Sequence, residues 1–206
     1  MTPATTLPFR AIPEDLAERI DRAAPLFADN GLEATRIGEL SKITGVPRAT
    51  LYYYFPGKEH ILAHLLSRTL GRISSCLLSA AEQPGTGRER LERLVIAHLN
   101  FITGHGPTYR LLFGELGRAA SLVDIAAGVD NAILSPIREA LRDGAKDGSL
   151  AVNDLAAATS IVYGAVLVTG MQLLLGDGAD SDGRSRTLFN AMLAGLGAAP
   201  AQGDNQ

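Results

Sequence analysis

The segment Leu155 to Gly176, LAAATSIVYGAVLVTGMQLLLG, runs for twenty-two residues without a charge. Such a run admits two kinds of structure. About twenty apolar residues suffice to span a bilayer as a helix. A helix that is apolar all round is otherwise buried on two sides, by its own core and by a partner subunit. Thr159, Ser160, Thr169 and Gln172 dilute the run, and its flanks are acidic (Asp154, then Asp177, Asp180 and Asp182). Lysine or arginine would anchor a cytoplasmic membrane end, so the buried interface is the better reading. With 206 residues, 46% hydrophobic and 20% charged, the chain is long and apolar enough for such a core.

Charge and cysteine content remove several classes of protein. A formal charge of −3 and a pI of about 5.8 exclude a protein that coats nucleic acid by bulk charge, while leaving room for a local basic patch. The single cysteine, Cys76, excludes an intramolecular disulfide framework and any multi-cysteine zinc site. Met1 to Pro13 carries one basic side chain, Arg10, and no apolar stretch, so it does not read as a signal peptide and the expected location is cytoplasmic.

Strand-type alternation is not evident anywhere, and helical spacing recurs throughout. Residues 1–12 read as a flexible arm, as do 201–206 at the other end. A first helix is expected from Glu14 to Asp29, kinked or restarted at Pro25 and stopped by Asn30-Gly31. Thr35 is the expected N-cap of a short helix over Arg36 to Thr44, without a capping box because Gly38 stands where Glu or Gln would reach back. Gly45 suits a left-handed exit, Pro47 the start of another short helix to Tyr54, and Phe55-Pro56-Gly57 its end. Further helices are expected at about 58–81, 88–104, 107–128, 136–147, 153–176 and 184–197, with a turn-rich linker over 83–88. The chain reads as all-α.

The window Thr35 to Ile61, TRIGELSKITGVPRATLYYYFPGKEHI, holds two short helices around a glycine turn, the sequence form of a helix-turn-helix. The second helix exposes Arg48, Thr50, Tyr53 and Tyr54 while Leu51 and Phe55 turn inward. Such a helix fits the major groove, where arginine reads guanine and threonine or an aromatic face meets the thymine methyl. Despite the acidic total, Ala34 to Lys58 carries a net +3, from Arg36, Lys42, Arg48 and Lys58 against Glu39. Helix starts near Thr35, Pro47 and Lys58 would offer N–H groups to phosphates. Charge and spacing alone also fit a solvated face of a small helical domain with packing tyrosines.

The pattern Gly31…Thr35-x-Ile37-x-x-Leu40-x-x-x-x-Gly45-Val46-x-x-x-Thr50-Leu51-Tyr52-x-Tyr54-Phe55-x-x-Lys58-Glu59-x-x-Leu62 resembles the DNA-binding domain of the TetR-type transcriptional regulators, over about Pro13 to Ile73. The resemblance implies an N-terminal three-helix DNA-binding domain (13–73, with the helix-turn-helix at 36–55) and a larger helical ligand-binding and dimerisation domain (74–200). It implies a homodimeric repressor that grips two operator half-sites and releases double-stranded DNA when a small molecule binds. Base contacts are implied for Arg48, Ala49, Thr50 and Tyr53, and a backbone or thymine-methyl contact for Tyr52. Phosphate clamps are implied for Tyr54 and Lys58, and a place beside the backbone for Thr35 or Arg36. Two departures stand out: Gly38 lies where many members carry a polar or basic side chain facing DNA, and Pro47 replaces a small hydroxyl residue.

In the remaining two-thirds, His98, Phe101, Ile102 and His105 share a stripe with core-facing spacing. Tyr109, Phe113 and Tyr163 join them as candidates around a mostly apolar ligand cavity, and all of these equally fit a plain bundle core. Segments 153–176 and 184–197 resemble the family's dimer-forming helices, where Gly164 and Gly170 allow close approach. His60 and His64 lack a third metal ligand, and the order Glu59-His60 is not that of a zinc protease helix. The acidic stretch Asp177 to Gly183 fails the register of a calcium loop. No Gly-x-Ser-x-Gly or dinucleotide fingerprint is present, so neither an enzyme nor a cofactor is expected. Two rivals remain: a helical small-molecule-binding protein or enzyme with a vestigial DNA-binding domain, and a membrane-anchored regulator using 155–176.

Overall fold

The computed structural model describes residues 11–116, 123–175 and 181–196. All regular elements among them are helical. The two expected tails fall, for residues 1–10 and 201–206, outside the described residues, as does 176–180 of the acidic stretch. Two compact units emerge. Among the described residues, one holds those up to Thr69 and 107–116; the other holds Leu70–Gly106 and those from Val123 onward.

In the first unit, α1 (Glu14–Asp21) and α2 (Ala24–Ala34) replace the single helix expected over 14–29. Pro25 falls in the first turn of α2, where its missing N–H has no partner to lose. The chain leaves helical geometry at Gly31, whose φ of 73° favours glycine. Next come α3 (Ile37–Thr44), α4 (Arg48–Tyr54) and α5 (Lys58–Ala81), the last entering the second unit at Leu70. Ile20, Phe27, Leu40, Leu51, Phe55 and Leu65 are all buried to within 1% of complete. Arg68 on α5 ties down both ends of α1: its guanidinium donates to both oxygens of Glu14 at 3.0 and 2.5 Å and to Asp21 at 3.2 Å. Two of the acidic residues of α1 are therefore occupied as structural partners. Most of α7 (Gly106–Leu116) also belongs to this unit, whereas residues 117–122 of the helix expected over 107–128 lie outside the described residues.

In the second unit, α6 (Gly87–Gly104) packs against α9 (Ser135–Asp147), α10 (Leu155–Leu175) and α11 (Ser181–Leu196). Thr86 caps α6 with a reciprocal pair: its hydroxyl accepts from Glu89 N–H at 3.3 Å, and the Glu89 carboxylate accepts from Thr86 N–H at 2.8 Å. At that end α6 and α9 nearly touch by backbone. A Cβ on Gly87 would lie 2.0 Å from the nitrogen of Gly144. The segment between α8 (Val123–Val129) and α9 is a π-helical turn, Asp130–Leu134, closed by Ser135 N–H donating to Asp130 O. Pro136 supplies the cause, since it has no N–H and its ring crowds the carbonyl four residues back, which a wider turn relieves.

The uncharged segment forms α10. By length and composition it is the one helix among the described residues able to cross a membrane, and a third of its most apolar window is buried. One face is internal, through Ala158, Val162, Val166, Gly170 and Leu173. The opposite face exposes Ile161, Val168, Met171 and Leu175 at 44–80%.

Candidate nucleic-acid interface

The turn between α3 and α4 is held from several directions. Gly45 ends α3 at φ 65°, ψ 19°, the left-handed exit expected of it. The buried hydroxyl of Thr44 donates to Leu40 O at 2.6 Å and accepts from Val46 N–H at 3.2 Å. Ser41 donates to Val46 O at 2.7 Å. From α1, Arg19 donates to the carbonyls of Thr44, at 3.4 Å, and Gly45. A cation at a helix C-terminus also meets the negative end of the α3 dipole. The arginine lies 25 residues before its acceptor at Thr44, and no local sequence pattern announces it.

Rigid support of the turn aims α4 outward. Leu51 and Phe55 are each 1% exposed, whereas Tyr52 and Tyr53 are 58% and 60% exposed. Arg48 and Ala49 are exposed, with Thr50 and Tyr54 half-buried. The rings of Tyr53 and Tyr54 meet edge to face at 4.9 Å. The short helix thus shows one arginine and an aromatic cluster to solvent, the face expected from its spacing.

The start of α3 departs from expectation. Its N-cap is Arg36, in extended backbone at φ −114°, ψ 143°, one residue beyond Thr35. Thr35 is instead 1% exposed, and its hydroxyl donates backwards to Gly31 O at 2.7 Å. The non-helical kink at Gly31 frees that carbonyl, so the hydroxyl is drawn into the core and is unavailable to DNA. Moving the cap by one residue makes Glu39 the third helical residue, and its carboxylate accepts from Arg36 N–H at 3.0 Å. Half of a capping box therefore exists where none was expected; a guanidinium has no acceptor to complete the other half. Of the pair Thr35 and Arg36, the exposed Arg36 is the one presented to solvent.

Lys58 lies where α5 begins, and its ammonium donates to Glu33 O at 2.9 Å and Thr35 O at 3.3 Å. Two of its three donors thus hold the α2–α3 connection.

The candidate ligand residues are divided between the units. Tyr109 (1% exposed) and Phe113 belong to the first, with ring centroids 5.1 Å apart. His98, Phe101, His105 and Tyr163 belong to the second. His98 is 1% exposed, and burial pushes its pKa down to about 4, so it is neutral at physiological pH. His105 is not core-facing as its spacing suggested. It is the exposed C-cap of α6, stacked on Phe101 at 4.2 Å, with its N–H donating to Phe101 O at 3.0 Å. Tyr163 is half-buried, which pushes its phenol pKa up. Among the described residues no group of three or more His, Cys, Asp or Glu is placed to hold a metal ion.

Comparison with known proteins agrees with this geometry. Residues 20–65 match the family model of bacterial regulatory proteins, tetR family. The chain is 28% identical over 85 residues to the fatty acid metabolism regulator protein of Bacillus subtilis, a stretch covering 41% of this chain and 44% of that protein. Over 72 residues it is 38% identical to the HTH-type transcriptional regulator EthR of Mycobacterium tuberculosis, covering 34% and 33%. The chain thus spans less than half the length of these two curated relatives. Among solved structures, the transcriptional regulator FadR from Bacillus subtilis in complex with stearoyl-CoA superposes with a TM-score of 0.71 at 21% identity, over 87% of this chain and 98% of that one. That likeness is one of fold.

Proposed function

We propose, from the premise that the N-terminal domain belongs to the tetR family of bacterial regulatory proteins, that this chain is a homodimeric, sequence-specific DNA-binding repressor released by a small molecule. The observation that carries the reading is the exposure of Tyr52 and Tyr53 on a short helix whose inner side chains, Leu51 and Phe55, are almost fully buried. A solvated aromatic pair beside an arginine matches what a major groove accepts. Arg48, Ala49, Thr50 and Tyr53 contact bases; Tyr52, Tyr54 and Arg36 contact the backbone or thymine methyls. Lys58 acts first as a strut beneath them.

The domain that follows, from about residue 74, binds the effector and a second copy of the chain. Ile161, Val168, Met171 and Leu175 follow one another at intervals of seven, three and four residues on the outer face of α10, the spacing of a helix–helix seam. Covering that face with a twofold mate explains the uncharged run in a cytoplasmic protein that is a regulator and not an enzyme. Two heads held this way meet half-sites one helical turn apart, about 34–36 Å. An effector that binds better to another head spacing weakens the operator complex by that difference in affinity. The effector is mostly apolar, and long acyl chains are the first class to screen, because a solved protein of this fold carries stearoyl-CoA.

The test is fluorescence anisotropy of the full chain on its own upstream intergenic DNA, across a salt series and against scrambled competitor. Specific sites bind about 10³–10⁷ tighter than random DNA. A gap of that size supports the reading. Equal binding to operators selected from a random library and to scrambled DNA overturns it, and ligand binding without DNA affinity would favour a small-molecule carrier.

A further inference from the structure

Gly38 has no backbone reason to be glycine. It is the second residue of the eight-residue helix α3, and its φ is not among the positive ones of this chain. Glycine is the poorest helix former after proline. Its missing side chain leaves room for Arg48 of α4. A Cβ built on Gly38 would fall 2.5 Å from Nη2 of Arg48, 3.2 Å from its Cζ and 3.6 Å from its Nε. The guanidinium therefore rests directly on the bare backbone of α3. Among the described residues, no hydrogen bond or ion pair anchors it there.

We propose that Gly38 is a specificity-determining position, the seat that sets where the Arg48 fork emerges from α4 and so which base pair it reads. This inference rests on the DNA-binding reading above. A guanidinium recognises guanine by two parallel donors to O6 and N7, a geometry that fails when the fork is displaced or tilted. A methyl group at position 38 lies well inside contact distance of Nη2 and must drive the fork away by about an ångström to reach an ordinary separation near 3.5 Å. The atoms it meets are the far end of a long flexible side chain, so Arg48 yields and the backbone of α3 stays. Gly38→Ala consequently changes what is read while leaving the domain folded, and removal of a helical glycine favours the folded state.

The experiment selects half-sites from a random duplex library with the full-length wild type, G38A, R48A and the double variant, then measures Kd for each on the selected sites and their single-base-pair variants. Thermal unfolding is followed in parallel. For G38A we expect a melting temperature equal to or above wild type, and a change of about tenfold or more in discrimination at one position of each half-site. In the R48A background the same substitution should leave base discrimination unchanged, since the displaced group is gone. Identical half-site preferences for G38A and wild type overturn the proposal, as does an equal G38A effect with and without Arg48. If the wild type itself selects no sequence, the DNA-binding reading falls, and this inference with it.

Discussion

Replacing Lys58 with methionine separates two roles for one side chain. Resemblance assigns Lys58 to a phosphate, whereas its ammonium lies on the carbonyls of Glu33 and Thr35 at 2.9 and 3.3 Å. Methionine keeps most of the stem and removes the charge. A hydrogen bond from a charged donor contributes about 1.5–3 kcal/mol when well shielded. Here the longer bond is weak and the Glu33 bond is solvent-exposed, so water replaces much of what is lost and the net cost is about 1–2 kcal/mol. For a unit of this size that corresponds to a fall of about 5–10 °C in melting temperature. Tyrosine fluorescence reports it well, because Tyr52, Tyr53, Tyr54 and Tyr109 all lie in the first unit and only Tyr163 in the second. In the DNA assay, a strut leaves the slope of log K against log salt unchanged, while a phosphate contact lowers it by about 0.9 per head. An unchanged melting temperature together with that loss of slope would refute the structural assignment.

Three further outcomes are expected. Gly87→Ala forces a methyl group against the Gly144 nitrogen at 2.0 Å and the Ala140 oxygen at 2.7 Å, both backbone atoms; we expect at least about 3 kcal/mol of destabilisation, and a urea midpoint matching wild type would show that α6 and α9 are not in contact there. His98 is neutral when folded and its pKa falls from 6.5 to about 4, so the unfolded chain binds the extra proton: stability is complete above pH 6.5 and declines as pH falls toward 4, by up to about 3 kcal/mol. Urea titrations from pH 7.5 to 4.5 should show that decline in wild type and a shallower one in His98→Gln; equal slopes would remove His98 as the cause. Val168→Glu places a charge in the exposed stripe of α10, and light scattering should find a monomer at concentrations where the wild type is a dimer; a dimer for both would move the interface elsewhere.

Much of the candidate interface was legible because its determinants are local. Gly45 adopts its left-handed turn through the steric freedom of one residue, and Leu51 and Phe55 go inward because they lie four apart on one helical face. What was not legible depends on where distant atoms come to rest. Thr35 has an ordinary N-cap identity, yet the kink at Gly31 offers its hydroxyl a nearer carbonyl and the cap passes to Arg36. The π turn before α9 had a visible cause in Pro136, but its form depended on how the preceding helix continued.

By itself, then, the sequence determined helical class, the helix-turn-helix and its outward aromatic face, since periodicity, a glycine turn and a short spacing act within a few residues. Tertiary structure alone decided that Arg19 braces the turn and Lys58 props the α2–α3 connection, because each meets carbonyls more than twenty residues away. It also decided that the guanidinium of Arg48 occupies the space beside Gly38. The sequence marks the missing side chain, but the neighbour that uses the space comes from another helix and is fixed only when the two pack.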